Sequence, residues 1–501
     1  MRKGTIICYV AIALLMLASC ASVKNKHPKT EFRGFWVATV VNIDWPKNGD
    51  DSVAKQKADF LRVLDFYAQM NFNTAIVQVR TAGDAFYTSA YAPWSRFLNG
   101  TEGKVKTEKN DLLNWMIDQT HKRGMEFHAW LNPYRATFDL KTEVLSPTHD
   151  FHLHPEWMVK YGKKYYYDPG NPDARRRMVQ VIDEIVANFD IDAIHFDDYF
   201  YPYTIAGEVF MDSGTYGYHK KPGQSLADWR RSNIDSLVKN SFETIKKRKP
   251  WVQLGISPFG VWKNSSSDPR GSDTKAGQTT YDDLYADPLL WMKNKWVDYM
   301  IPQVYWSMDL PVASHRKIVQ WWSANSLGTN LYIGNGPYKI RNNSDKAWDD
   351  KKELPKQIDF GRSLGAVSGN AFFSAKSLMD KHSDVVSYLK RKQYRFKALT
   401  PVSHLVATNT VSPRITSVNE LKDTVQLLYD SDNTYRYAVL YATKKKKVEH
   451  SPKKISAIVP VSDVGRLTIA TEKLKGRKKF HLVFIDRYRR ETRPIPVHLK
   501  R

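Results

Sequence analysis

Of 501 residues only two are cysteine, Cys8 and Cys20, and both lie in the first twenty positions. No disulfide can therefore staple the remainder of the chain, and stability has to come from a large apolar core, which a chain of this length can build. Thiol catalysis has no side chain to use. The one Gly-x-Ser-x-Gly string, Gly361-Arg362-Ser363-Leu364-Gly365, runs from a segment of helical period into an apolar run, the reverse of the strand-to-helix elbow of the serine hydrolases. No Gly-rich phosphate loop follows an early apolar run, which argues against an open doubly wound sheet, the main alternative to a barrel. The apolar run at 6–17 is too short to cross a bilayer, which takes about 20 residues.

That run is flanked by Arg2 and Lys3 and ends in Leu17-Ala18-Ser19-Cys20, the pattern of a lipobox. We expect residues 1–19 to be a lipoprotein signal peptide, Cys20 the lipidated N-terminus, and 20–30 a polar spacer. A plain secretory signal that happens to contain Cys20 is the simpler alternative. Lipid on Cys20 would tether the protein to a membrane without spanning it. Ala21 follows with no acidic cluster, which points to the outer membrane, facing the periplasm.

The formal charge is +24, unevenly spread: residues 391–501 hold 25 Lys and Arg against 9 Asp and Glu. The densest runs, 444–447 and 473–479, sit between alternating segments. They read either as solvated hairpin turns or as attraction to an anionic surface such as lipid headgroups or an acidic wall polymer. Nucleic acid is not a partner that suits an exported lipoprotein.

Eight short apolar runs, at 32–39, 74–80, 125–132, 193–199, 252–258, 299–306, 331–338 and 366–374, read as strands. Segments of helical period follow them at 54–70, 112–123, 173–189, 226–247, 281–295, 314–324, 351–364 and 376–389. Eight strands alternating with eight helices predict a (β/α)8 TIM barrel over 31–389. After a linker at 390–412 the pattern changes to short alternating stretches, which predict a small all-β sandwich over 413–501.

A barrel builds its site from the C-terminal ends of its strands. Strand four ends Ala193-Ile194-His195-Phe196-Asp197-Asp198-Tyr199, with adjacent carboxylates. Ile194 and Phe196 belong against the helices, so alternation turns His195 and Asp197 towards the barrel mouth and Asp198 away. His195 can equally be a core histidine. Other strand ends deliver Gln78, Arg80 and then Asp84; His128, Trp130, Asn132 and then Tyr134 and Arg135; Ser257; Gln303, Tyr305 and Trp306; and Asn335 and Tyr338. Aromatics near strand ends, among them Trp45, Trp94, Trp130, Tyr134, Tyr199, Tyr203, Tyr305 and Trp306, suit the C–H faces of sugars, and polar side chains suit their hydroxyls. The His152-Leu153-His154 pair lies in a loop with few carboxylates nearby, so no metal and no cofactor is expected.

Several blocks together carry a resemblance. Glu31-Phe32-Arg33-Gly34-Phe35-Trp36-Val37, Asn42-Ile43-Asp44-Trp45-Pro46, Val79-Arg80 with Gly83-Asp84-Ala85-Phe86-Tyr87, and the strand-four run through Pro202 are four of them. Ile256-Ser257-Pro258-Phe259-Gly260-Val261-Trp262, Asp283-Leu284-Tyr285-Ala286-Asp287 and Pro302-Gln303-Val304-Tyr305-Trp306 complete the set. Over roughly 31–389 the chain resembles the glycosyl hydrolase-like 10 family, and the tail resembles the fibronectin type III-like domain often found beside such barrels. The resemblance implies a barrel, bacterial export, often as a lipoprotein, and cleavage of a cell-wall glycan. For a division-site member of the family that glycan is peptidoglycan stripped of its stem peptides.

Glycoside hydrolysis generally uses two carboxyl groups. Asp197 is the candidate nucleophile or base; for its partner Asp198, Asp84, and Asp273 or Asp282 stand in that order, because no Glu falls at a strand end. Asp198 could instead orient Asp197. Lytic cleavage to a 1,6-anhydro product would need only one such group. Arg80, Asn132, Gln303 and Asn335 are assigned to hydroxyl or acetamido recognition, with Tyr134, Arg135, His195, Tyr199, Tyr305 and Trp306 as further substrate contacts. The alternatives are a non-catalytic glycan-binding lipoprotein, which the missing strand-end Glu favours, and a deacetylase-type metal enzyme.

Overall fold

The computed structural model describes residues 27–406, 410–430, 435–443, 451–461, 465–474 and 479–497. The expected leader, Cys20, most of the spacer and the lysines at 444–447 and 475–478 lie outside the described residues. Eight parallel strands close into a barrel: β1 (Phe32–Val37), β2 (Thr74–Arg80), β3 (Glu126–Leu131), β4 (Ala193–Phe196), β5 (Gln253–Ile256), β6 (Tyr299–Met300), β7 (Asn330–Asn335) and β8 (Val367–Phe372). β1 pairs with both β2 and β8, which closes the ring. Every residue of β2 is buried. Ala75, Val77 and Val79 point into the layer beneath the helices. Ile76 points into the barrel interior, so both faces of the strand are covered, as in other parallel sheets.

Around the barrel run α1 (Val53–Gln69), α2 (Leu112–Lys122), α3 (Pro172–Asn188), α4 (Leu226–Arg248), α5 (Pro288–Lys293), α6 (His315–Ala324), α7 (Glu353–Ser363) and α8 (Ser383–Lys392). Local chemistry sets their starts. Ser52 caps α1 by accepting from the Lys55 amide. Asn171 caps α3, with Pro172 at the first helical position. The apolar stripe Ala174, Met178, Val181, Ile182, Ile185 and Val186 then faces the sheet.

Most strands end a few residues before their apolar runs do, and three elements are cut short for an identifiable local reason. Strand six, expected over 299–306, pairs regularly only through Tyr299–Met300, because Pro302 offers no N–H to the ladder. Gln303 then forms single bridges to Phe259 and Gly334. The helix expected at 281–295 begins only at Pro288, whose ring prevents helix from continuing through it from the preceding turn. The eighth helix starts at Ser383, since Asp380 and His382 adopt positive φ angles of 58° and 50° and break the turn before it. An outer hairpin, Met158–Tyr161 with Lys164–Tyr167, lies inside the β3 to α3 connection and was not legible from the sequence.

The barrel interior depends on one glycine. Gly255 of β5 faces Tyr299, and a Cβ at 255 would lie 1.8 Å from that ring. Gly255→Ala is therefore expected to lower stability by about 1–3 kcal/mol or more, seen as a fall in Tm; an unchanged Tm would show that the ring can move aside. Tyr299 anchors a buried polar column. Trp36 Nε1 donates to His195 Nε2 at 3.2 Å. Since an indole only donates, His195 carries its proton on Nδ1, which lies 3.2 Å from the Tyr299 oxygen. Tyr299 OH then donates to His128 Nδ1 at 2.8 Å, and His128 Nε2 donates to Glu126 Oε2 at 3.0 Å.

Beyond the barrel, seven strands among the described residues form two antiparallel sheets packed face to face. β9 (Arg414–Glu420), β10 (Thr424–Asp430) and β13 (Arg466–Ala470) make one; β11 (Tyr435–Thr443), β12 (Ile455–Pro460), β14 (Lys479–Asp486) and β15 (Ile495–Val497) make the other. Leu427 and Leu467 meet Leu440, Leu482 and Phe484 across the sandwich. The segment read as a linker is bonded to the barrel in its first part: Arg33 Nη1 donates to Phe396 O and Asn330 Nδ2 to Val402 O. The sandwich docks on the N-terminal ends of the strands, away from the barrel mouth. Arg489 donates to both Glu126 oxygens at 2.7 and 2.9 Å. Arg436 and Arg487 bind Asp190. Part of the basic surplus of the tail thus neutralises acids at the base of the barrel.

Candidate active site

At the C-terminal ends of the strands opens a cavity of about 380 Å³. Every strand except β5 sends at least one residue to its lining, either from its own end or from the loop beyond. Trp36, Trp130, Tyr305 and Phe373 give it flat aromatic walls, while Gln78, Asn132, Arg135, Asp197 and Gln303 supply polar groups. Asp197 is the one carboxylate among the described lining residues.

The backbone leaves β4 at Phe196, and the chain then presents Asp197 to the cavity with Asp198 behind it, 8% and 2% exposed respectively. Asp197 Oδ1 accepts from Gln303 Nε2 at 3.0 Å and from the Asp198 amide at 2.9 Å. Gln303 is itself anchored by donating to Ser257 O at 3.0 Å. Asp198 Oδ2 accepts from Tyr203 OH in a short hydrogen bond. Burial pushes the Asp197 carboxyl up from its ordinary range, against the opposing pull of hydrogen bonds from Asp198 and Gln303 and of the Arg135 charge. Burial, together with the Asp197 charge beside it, pushes Asp198 much further up. Adjacent buried carboxyls oppose each other's ionisation, so the pair keeps a proton to higher pH than isolated carboxyls would.

Asn132 is 1% exposed. Its Oδ1 accepts from Trp130 Nε1 at 3.1 Å, which fixes the orientation of the amide. Its Nδ2 is then left without a partner, a buried donor at the cavity wall waiting for an acceptor. Arg135 lies 4.9 Å over the Tyr199 ring, donates to Thr81 O, and also has an unpartnered Nε.

Of the residues assigned from the sequence to catalysis or substrate contact, six meet at this cavity: Asp197, Asn132, Arg135, Tyr199, Gln303 and Tyr305. Seven others stand outside its lining. Asp198 lies behind Asp197. Asp84 caps its own loop, accepting from Thr81 and Ala82. Arg80 donates to Asp84 O and Tyr167 OH. Tyr134 is buried, 1% exposed. His195 belongs to the interior column. Trp306 packs edge-to-face on Phe259, and Asn335 bonds Gln357 and Asn370. The remaining candidate acids are paired at the surface, Asp273 with Lys317 and Asp282 with Lys263. Alternation tells which face of a strand a residue takes, but not its depth; His195, two residues before Asp197, lies about 7 Å further down the barrel.

Gln78, Trp130, Tyr203 and Tyr338, read from the sequence as strand-end groups or sugar-facing aromatics, also line the cavity, and they are joined by Trp36 and Phe373, which were not assigned to it from sequence. Trp36 is the fifth residue of β1, and Phe373 directly follows β8, so strand-end position was the available signal. Tyr203 acts on the acid pair. Tyr203→Phe removes a donor that lowers the Asp198 pKa, so the pair should hold its proton to higher pH. The basic limb of the rate profile is expected to move up by about one pH unit, with kcat reduced; an unmoved limb would separate Tyr203 from the acid pair.

The sequence pattern of the glycosyl hydrolase-like 10 family matches residues 31–350. Glycosyl hydrolase YngK of Bacillus subtilis (strain 168) is 44% identical over 404 residues, covering 80% of this chain and 79% of its own. The chain belongs to the glycosyl hydrolase-like 10 family. Glycosyl hydrolase DigH of Escherichia coli (strain K12) is 33% identical over 423 residues, 76% of this chain and 95% of its own. Among solved structures, the PgaB (BpsB) glycoside hydrolase domain from Bordetella bronchiseptica aligns at 12% identity with a TM-score of 0.48, over 73% of this chain and 99% of that one. As a member of this glycosyl hydrolase-like 10 family, the protein is a glycoside hydrolase, and its substrate is a carbohydrate.

Proposed function

We propose that this protein cleaves the glycan strands of peptidoglycan after their stem peptides have been removed, while tethered by lipid on Cys20 to the outer membrane and facing the periplasm. The observation that carries the reading is Asp197, a buried carboxyl with a raised pKa set in an aromatic-walled cavity at the barrel mouth. Asn132 offers its free N–H to a sugar oxygen. Arg135 adds a cation at the cavity wall, which suits a stripped strand in particular. Removing the peptide frees the carboxylate of the lactyl ether on each muramyl residue, and a guanidinium pairs well with a carboxylate.

The test is mass spectrometry of products from the soluble form, beginning at Ala21, incubated with stripped strands and with peptide-bearing ones. Shortened glycans from stripped strands alone are expected; reducing ends would indicate hydrolysis and anhydro ends lytic cleavage. Strands that co-sediment uncut would instead indicate a glycan-binding lipoprotein. Arg135→Gln is expected to raise KM on stripped strands by roughly 10-fold, the loss of one charge-assisted contact. An unaltered KM would remove Arg135 from carboxylate recognition.

A further inference from the structure

Two carboxyl groups of a conventional glycosidase flank the scissile bond, about 5–5.5 Å apart in retaining enzymes and about 6.5–9.5 Å apart in inverting ones. Nothing in this cavity fits that arrangement. Asp197 is the one lining carboxylate among the described residues. Its neighbour Asp198 is buried behind it and bound by Tyr203 OH, so the pair presents one acid on one side of the bond. Asp84, Asp273 and Asp282 are each engaged elsewhere. The rest of the described lining is aromatic, aliphatic and amide, with the Arg135 guanidinium. Unless the reaction proceeds without a nucleophile on the far face, the substrate has to bring one.

We infer that the nucleophile is the 2-acetamido oxygen of the sugar whose bond is cut, so that the enzyme requires an N-acetylated amino sugar in that position. The inference rests on the glycan-cleaving reading above and adds the chemical group that the substrate must carry. Asp197 is the catalytic residue; Asp198, whose charge state acts on Asp197, and Tyr203, which donates to Asp198 and eases its ionisation, are positioning residues. Asn132, buried with a free N–H, is placed to hold a substrate oxygen.

In the first step the acetamido carbonyl oxygen bonds to C1 while the bond from C1 to the leaving sugar breaks. The leaving oxygen takes the proton from Asp197, and the positive charge resides on the five-membered oxazolinium ring. In the second step water attacks C1 from the vacated side and gives a proton to Asp197. The ring bond from C1 to oxygen breaks, and the acetamide is restored. One water is consumed, the acid is regenerated, and two displacements leave the anomeric configuration retained.

The experiment compares short wall-type glycans N-acylated with acetyl, difluoroacetyl or trifluoroacetyl groups, which weaken the carbonyl oxygen stepwise with little change in shape. For the wild type, kcat is expected to fall with each step, by on the order of 10²-fold or more by the trifluoro compound. Binding to Asp197→Asn should stay within a few-fold across the series. A sugar thiazoline, a stable mimic of the ring intermediate, should inhibit competitively, and the product should form with retained configuration. Equal rates across the series, or an inverted product, would overturn the inference while leaving glycan cleavage standing. No cleavage of the acetyl parent would overturn both.

Discussion

Asp197→Asn is expected to lower kcat by about 10²–10⁴-fold while glycan binding and Tm remain close to wild type. Asparagine matches aspartate in shape, and its side-chain oxygen can still accept from Gln303 and from the Asp198 amide, the two bonds that hold Asp197 in place. What it lacks is a transferable proton and the negative charge that follows transfer. The loss should therefore appear in kcat with KM nearly unchanged. Turnover in a product assay and affinity by calorimetry separate the two, and near-wild-type turnover would remove Asp197 from the mechanism. The pH dependence follows from the same pair. Both carboxyls are raised by burial, so the proton needed for leaving-group departure is held to higher pH than an ordinary carboxyl would hold it and is lost as pH climbs through the raised value. Activity should fall on that basic limb, and in Asp197→Asn the limb should vanish with the activity.

Arg489→Met is expected to cost about 3–5 kcal/mol of stability, although residue 489 lies in the sandwich, far from the cavity. Its guanidinium is the charge partner of Glu126 at the base of the buried column. Burial alone would raise the Glu126 carboxyl; the Arg489 charge and the hydrogen bond from His128 outweigh it and hold the group below its usual range. A carboxyl lowered on folding stabilises the fold at pH above its unfolded value of about 4.3, and that contribution disappears as pH falls through the lowered folded value. The gap between wild type and Arg489→Met in denaturant titrations should therefore be full at neutral pH and shrink in acid. Glu126→Gln added to Arg489→Met should recover part of the loss, because no charge is then stranded. A single variant as stable as wild type would show that water reaches Glu126.

Much of the fold could be read from the chain because its signals are local. Eight apolar runs, the helical stripes between them and the shift to short alternation after the barrel are properties of neighbouring residues, and the structure repeats them in that order. Departures came where one residue overrode a pattern: Pro302 cut strand six short, Pro288 delayed a helix, and positive φ at Asp380 and His382 moved the start of another. None of these changes the strand count. The Pro302 break has a consequence at the site, since the chain beyond it is free of regular pairing and lets Gln303 reach Asp197.

The sequence by itself determined a (β/α)8 barrel followed by a small sandwich, the export-type leader pattern, and an acid pair where strand four ends. Periodicity and motif spacing encode those directly. Only the tertiary structure decided which strand-end residues share a cavity. Parity along a strand selects a face, whereas depth depends on how eight strands are staggered around the ring. So Asn132 and Arg135 reach the cavity, while His195 and Asn335 sit below it and Asp84 serves its own loop. Only the tertiary structure, too, paired Arg489 with Glu126, 363 positions apart. A charge surplus read along the chain carries no trace of which charges folding will bury against one another.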